Sequence, residues 1–139
     1  MAGWLRKIWN RLRPGAPLGR LGERVAARHL KGHGLKILAR NVRVGHGEID
    51  LIAREGSTLV FVEVKSRSWG ARDEVTGLER LDASKLRALR RSCLRSLKKA
   101  PAGIDGYRLD AVTVEFVPGL FGPRAREVRW YPAVAALHE

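Results

Sequence analysis

Gly47-Glu-Ile-Asp50-Leu-Ile-Ala-Arg54-Glu-Gly-Ser-Thr58-Leu-Val-Phe-Val-Glu63-Val-Lys65-Ser-Arg67 is the stretch on which the fold turns. Two apolar segments, residues 48–54 and 58–65, are separated by Glu55-Gly56-Ser57, the signature of a β-hairpin. Along the second segment Leu59, Phe61, Glu63 and Lys65 fall on one face and Val60, Val62 and Val64 on the other, because side chains alternate along a strand. Apolar residues on both faces mark a central, covered strand. The two charges at its far end are then anomalous, since a buried carboxylate without a cation or a proton is costly.

Pairing Arg54 with Leu59 sets Asp50 across from Glu63 and Glu48 across from Lys65. Directly opposed side chains have Cβ atoms about 4.5–5.5 Å apart, and like charges there repel. Two facing carboxylates suit a hard divalent cation such as Mg²⁺, which binds through one or two carboxylates and keeps positions for water and phosphate oxygens. Lys65 can then hold an attacking hydroxide or the charge of the reacting phosphate. The alternative for these few residues is a surface network pairing Asp50 with Arg43 and Lys65 with Glu48.

Working outward, Leu35 to Val44 reads as a strand leading into the hairpin. Before it, Leu21, Val25, Ala26, Ala27 and Leu30 form the apolar stripe of a helix over 19–33, closed by Gly32 and Gly34. Beyond it, residues 66–81 form a polar loop, and Asp82 caps a helix running to about Lys99 with Leu86, Leu89, Cys93 and Leu97 inward. Residues 107–117 and 127–131 are further strands, and Ala133 to Leu137 is expected to form a terminal helical turn. The N-terminal residues 1–13 form a short basic amphipathic helix, and Pro14-Gly15-Ala16-Pro17 separates it from the rest. Two parts follow: an extension with its linker over 1–17, and one domain over 18–139.

The chain has 139 residues and a formal charge of +13. Residues 1–43 hold eleven basic side chains against the single acid Glu23, residues 84–99 hold seven and no acid, and most carboxylates fall between these blocks. Such blocks favour a polyanion, because each neutralised phosphate releases condensed counterions. The longest apolar runs are far shorter than the roughly 18 residues of a membrane span. Residues 1–14 are interrupted by Arg6, Lys7, Arg11 and Arg13, so no secretory signal is expected. With Cys93 the only cysteine, no internal disulfide can form, and the expected location is the reducing cytoplasm. Neither a P-loop nor a dinucleotide fingerprint occurs, which excludes nucleotide-cofactor enzymes.

The order Asp50, hairpin, Glu63-Val64-Lys65 resembles the PD-(D/E)xK nuclease core. The surrounding words resemble the YraN-like uncharacterised bacterial family, which is related to Holliday junction resolvases. The matching text runs from Gly19-Arg-Leu-Gly22-Glu23 through Ala26, Leu30, Gly34 and Arg40-Asn41-Val-Arg43 to Gly47-Glu48-Ile49-Asp50-Leu51-Ile52. It continues in Val60 to Arg67, Lys85 and Arg108-Leu109-Asp110, so it covers about residues 19–131. Ile49 stands where the broad nuclease motif often has proline, and Ser66 where an aromatic usually follows the lysine. The resemblance implies an α/β, restriction-endonuclease-like fold: a mixed central sheet flanked by helices, here with the short N-terminal helix appended. It implies Asp50, Glu63 and Lys65 as catalytic residues, and Glu23, Asp50 and Glu63 as ligands of a divalent metal, Mg²⁺ or Mn²⁺. Arg40, Asn41, Arg43, Arg67, Lys85, Arg90 and Arg91 are the candidates for contact with nucleic acid, DNA first, and Trp69 for stacking on a base.

Three function classes follow. The leading one is a metal-dependent endonuclease hydrolysing DNA phosphodiesters, with branched structures among its substrates and a homodimer suited to cutting two strands. The second is a nucleic-acid-binding module of the same fold that does not cut. The third is a peripheral membrane or partner-docking protein, with residues 1–13 touching an anionic surface. His29 and His33, one helical turn apart, read as a solvated pair because no third ligand accompanies them, and Cys93 reads as a core thiol.

Overall fold

A computed structural model describes residues 17–44, 47–69 and 102–136. The appended N-terminal helix, the helix over 82–99 with Cys93, and the candidates Lys85, Arg90 and Arg91 lie outside the described residues.

The first element is helix α1, Pro17–Gly32. It starts two residues earlier than its apolar stripe suggests, because proline's fixed φ and missing N–H suit a first helical position. The predicted stop is observed: the Leu35 amide bonds to the Leu30 carbonyl and the Gly34 amide to the Lys31 carbonyl, both at 3.0 Å, with Gly34 at φ 92°. Only glycine adopts that conformation without steric cost, and the bond pattern is a Schellman cap.

Five strands follow: β1 (Lys36–Val44), β2 (Gly47–Glu55), β3 (Thr58–Ser68), β4 (Gly106–Gly119) and β5 (Gly122–Ala136). They form one sheet in the order β1-β2-β3-β4-β5. The β3–β4 pair is parallel and the others antiparallel, so the expected mixed sheet of an α/β fold is present. Near the turn the hairpin register is the anticipated one, with Arg54 opposite Leu59, but the pairing ends at Leu51–Val62, so the expected Asp50–Glu63 and Glu48–Lys65 pairs do not form and Glu48 lies opposite Arg43 of β1 instead.

β3 is covered on both faces. Val60 and Val62 join Leu51, Ala53, Val112 and Val114 beneath Ala26, Ala27 and Leu30 of α1. Leu59 and Phe61 join Ile49 and Leu109 in a second cluster. Each fully buried side chain of this size contributes about 1.5–3 kcal/mol, so β3 anchors the sheet.

Two element expectations fail. Residues 66–68, expected to begin a loop, continue β3 beside β4. Residues 133–136 are strand rather than helix, because β5 continues alongside β4 with Leu109 opposite Ala135. A short apolar run has no intrinsic period, and here sheet pairing decided it. Among the described residues, no helix is long and apolar enough to cross a membrane.

Candidate active site

The site begins where the sheet forks. β2 pairs with β3 from Glu55–Thr58 to Leu51–Val62, and β2 then stays with β1 through the Val42–Ile49 and Arg43–Glu48 pairs. β3 continues beside β4 as far as Ser68–Phe116. At the fork the Val64 amide bonds to Asp50 Oδ2 at 2.8 Å. A carboxylate thus takes the place of a backbone acceptor, satisfying a donor that the hairpin ladder no longer reaches.

Asp50 is surrounded by charges of its own sign. Desolvation is the largest influence and pushes its carboxyl well above the ordinary carboxylate range. Glu63 raises it further, the Val64 hydrogen bond opposes the shift, and Glu23 and Glu48 add to it. Glu23 belongs to the same group. Burial raises its pKa, a hydrogen bond from the Asn41 side chain lowers it, Glu48 raises it, and Arg20 and Arg40 lower it. The helix-borne carboxylate and the hairpin carboxylates Asp50 and Glu48 therefore feel one another's charge.

Local structure explains how Glu23 arrives. Its neighbour Gly22 lies against β3 so closely that an added Cβ would sit 1.7 Å from Ser66 Oγ. Small residues at both positions let α1 approach the strand, which accounts for serine where the broad motif has an aromatic. Asn41 has a left-handed backbone, φ 52°, within β1 between the Arg40–Leu51 and Val42–Ile49 pairs, where the register is continuous. Asparagine tolerates that conformation better than most residues. Its side chain is committed to Glu23, a role the sequence reading did not give it.

Lys65 is buried, two residues beyond Glu63 and therefore on the same strand face. Arg40 and Arg43 are exposed on β1. Arg67 is bonded to Glu115, its Nε 3.1 Å from Oε1, and Arg126 approaches the same carboxylate at 3.7 Å. Trp69 is exposed, and the Arg126 guanidinium lies 4.5 Å from its ring centroid. His29 and His33 stack on each other at 4.5 Å, and His33 also meets the edge of Trp130. Among the described residues, no three His, Cys, Asp or Glu side chains form a ready-made metal-ligand group.

Sequence reasoning missed two features. Glu48 acts on both Asp50 and Glu23, and its acidic place beside Asp50 in the chain is the only local signal. Asp110 is fully buried and accepts from Arg108 Nε at 3.0 Å, Trp130 Nε1 at 2.9 Å and the Ala133 amide at 2.8 Å. Arg108 also reaches Glu55 at 2.8 Å. The Arg-x-Asp alternation places both side chains on one strand face, but their partners come from elsewhere in the sheet.

Residues 22–114 match the model of a family described as uncharacterised protein family UPF0102. A UPF0102 protein of Parafrankia sp. (strain EAN1pec) is 48% identical over 97 residues, covering 70% of this chain and 80% of the relative. One from Thermotoga maritima is 39% identical over 103 residues, covering 71% and 92%. Among solved structures, Pyrococcus furiosus SfsA in complex with Ca²⁺ aligns at a TM-score of 0.43 and 13% identity, over 82% of this chain and 63% of that one. A match spanning most of the chain, with the forked hairpin and its carboxylates inside it, makes this protein a member of the UPF0102 family.

Proposed function

We propose that this protein is a cytoplasmic, metal-dependent endonuclease that hydrolyses DNA phosphodiesters, with branched structures among its substrates. The observation that carries the proposal is the gathering of Glu23, Glu48, Asp50 and Glu63 around the fork, with buried Lys65 on the same strand. Carboxylates held together against desolvation and mutual repulsion are an unfavourable arrangement for a purely structural role.

The donor set fits a hard cation. It offers only oxygen ligands, and Asp50 is strained in the sense that a nearby positive charge relieves. Mg²⁺ suits a site without a complete protein cage, because it keeps waters and takes phosphate oxygens as ligands. Asp50 and Glu63 would hold it, joined by Glu23 from α1. When bound, the ion supplies charge neutralisation at the phosphate and lowers the pKa of a water. The chain does the rest. The Val64 amide fixes Asp50, Asn41 fixes Glu23, Lys65 places a positive charge beside the reacting phosphate, and Arg40 and Arg43 steady flanking phosphates.

The test is cleavage of labelled linear, flapped and four-way DNA by purified protein with Mg²⁺ or Mn²⁺, beside a Glu63→Ala preparation that exposes contaminating nucleases. Metal-dependent products from the wild type alone support the reading. Equal cleavage by both proteins overturns it. If the wild type binds these substrates but cuts none, it is replaced by the non-catalytic binding module.

A further inference from the structure

Where β4 turns into β5, two adjacent large apolar side chains point entirely into solvent: Leu120 is 97% exposed and Phe121 104%. The turn is constructed to hold them there. Gly119 pairs with Gly122, and a Cβ on Gly119 would lie 2.7 Å from the Gly122 carbonyl oxygen, so the two backbones approach as only glycine permits. Gly122 has φ 113°, which lets Leu120 and Phe121 occupy the two turn positions. Pro118 pairs with Pro123 just behind, and their fixed φ angles stiffen the tip. Isolated exposed apolar residues are ordinary. A rigid presentation of two adjacent ones at a hairpin tip with an arginine close behind is not.

The surroundings select the partner. Residues 116–126 contain Arg124 and Arg126, bounded by Glu115 and Glu127, and Arg126 lies 3.7 Å from the Glu115 carboxylate while Arg124 is nearer the tip. Trp69 lies beside the base of the hairpin, its amide bonded to the Phe116 carbonyl at 2.7 Å, and its exposed ring has the Arg126 guanidinium against it. An exposed ring with a cation against it can stack on a nucleobase. β3 and β4 run parallel, so the tip lies beyond the end of β3 that carries Glu63 and Lys65. From Thr113, the partner of Lys65, to Gly119 is roughly 20 Å at the rise of an extended strand.

We propose that the β4–β5 tip is a nucleic-acid wedge. Phe121 and Leu120 insert against unstacked bases, Trp69 offers a stacking face, and Arg124 and Arg126 contact the flanking phosphates. Apolar side chains do insert between base steps, and stacking on aromatics is tolerant of sequence. The substrate class is thereby narrowed to nucleic acid with unpaired or junction bases. The inference rests on the reading of the carboxylate site as one that acts on nucleic acid.

The experiment uses the full chain and a Leu120→Ser, Phe121→Ser variant, whose replaced side chains contribute nothing to the core. Fluorescence anisotropy in chelator measures binding to flapped, four-way and fully paired DNA of equal length. The wild type should prefer the branched substrates. The variant should lose about tenfold or more on those and less than about twofold on the duplex. A 2-aminopurine placed at the branch should brighten with the wild type and not with the variant. Undiminished branched-DNA binding by the variant overturns the wedge while leaving the endonuclease reading to its own cleavage test. An equal loss on duplex also overturns it. So does a loss confined to phosphatidylserine vesicles, which would assign the tip to a membrane. If neither protein binds any oligonucleotide, both proposals fall together.

Discussion

Asp50 and Asp110 stand on the strands either side of β3, and both turn a carboxylate into protein, but their surroundings are opposite. Asp110 is embraced by donors: a guanidinium, an indole N–H and a backbone amide. Asp50 receives the Val64 amide and faces the charges of Glu63, Glu23 and Glu48. The first arrangement is closed, since the chain provides the compensating charge and ties β4 to the far part of β5. The second is unbalanced at Asp50 itself, since the side-chain charges that act on it are carboxylates. Burial alone does not distinguish a structural acid from a functional one. What differs between these two is the sign of the neighbours.

The comparison breaks most decisively at Lys65. If the Asp50 side is catalytic, Lys65→Ala should lower turnover by about 10²–10³-fold while DNA binding persists, because positioned electrostatic groups contribute at that level. Single-turnover cleavage beside anisotropy checks it, and unchanged turnover would leave Asp50 as a second structural acid.

On the other side, Asp110→Ala should cost about 3 kcal/mol in urea denaturation, since it strips the partners from a buried charge and leaves two N–H donors unsatisfied. Activity per folded molecule should be retained. A third substitution probes the contact that delivers Glu23. Gly22→Ala should destabilise by about 1–3 kcal/mol through overpacking against Ser66, and a second change, Ser66→Gly, should recover part of that loss.

The smallest effect has the opposite sign. A carboxyl whose folded pKa is raised contributes stability below its ordinary titration range, and that contribution is lost as pH rises through the folded value. Asp50→Asn keeps an acceptor for Val64 and removes the charge. It should therefore raise Tm by a few degrees in chelator at neutral pH and flatten the loss of stability above about pH 4. Added Mg²⁺ should raise Tm of the wild type and not of the variant. A lower Tm in chelator would show that Asp50 is an ordinary ion-pair partner.

Much of this molecule is legible without coordinates. The stop of α1, the hairpin turn, its register near the turn and the covered character of β3 all follow from local signals: a glycine at a left-handed position, a turn tripeptide, an alternation of two. The same alternation places Glu63 and Lys65 on one face, and the matched words add Glu23. These features depend on residues within a few positions of one another, where the period of the side chains is itself the information.

Only the tertiary structure decided the remainder. That β2 leaves β3 at Leu51, that Asn41 turns its side chain to Glu23, and that Glu48 joins the cluster depend on how α1 and β1 meet the hairpin. Asp110 finds Trp130 and Ala133 twenty and more residues away, and that bond accompanies the continuation of β5 through a run whose composition suited a helix equally well. Pairings of this kind carry no local period. They are fixed by which buried donors remain to be satisfied once the sheet has assembled, a condition that no short window of sequence contains.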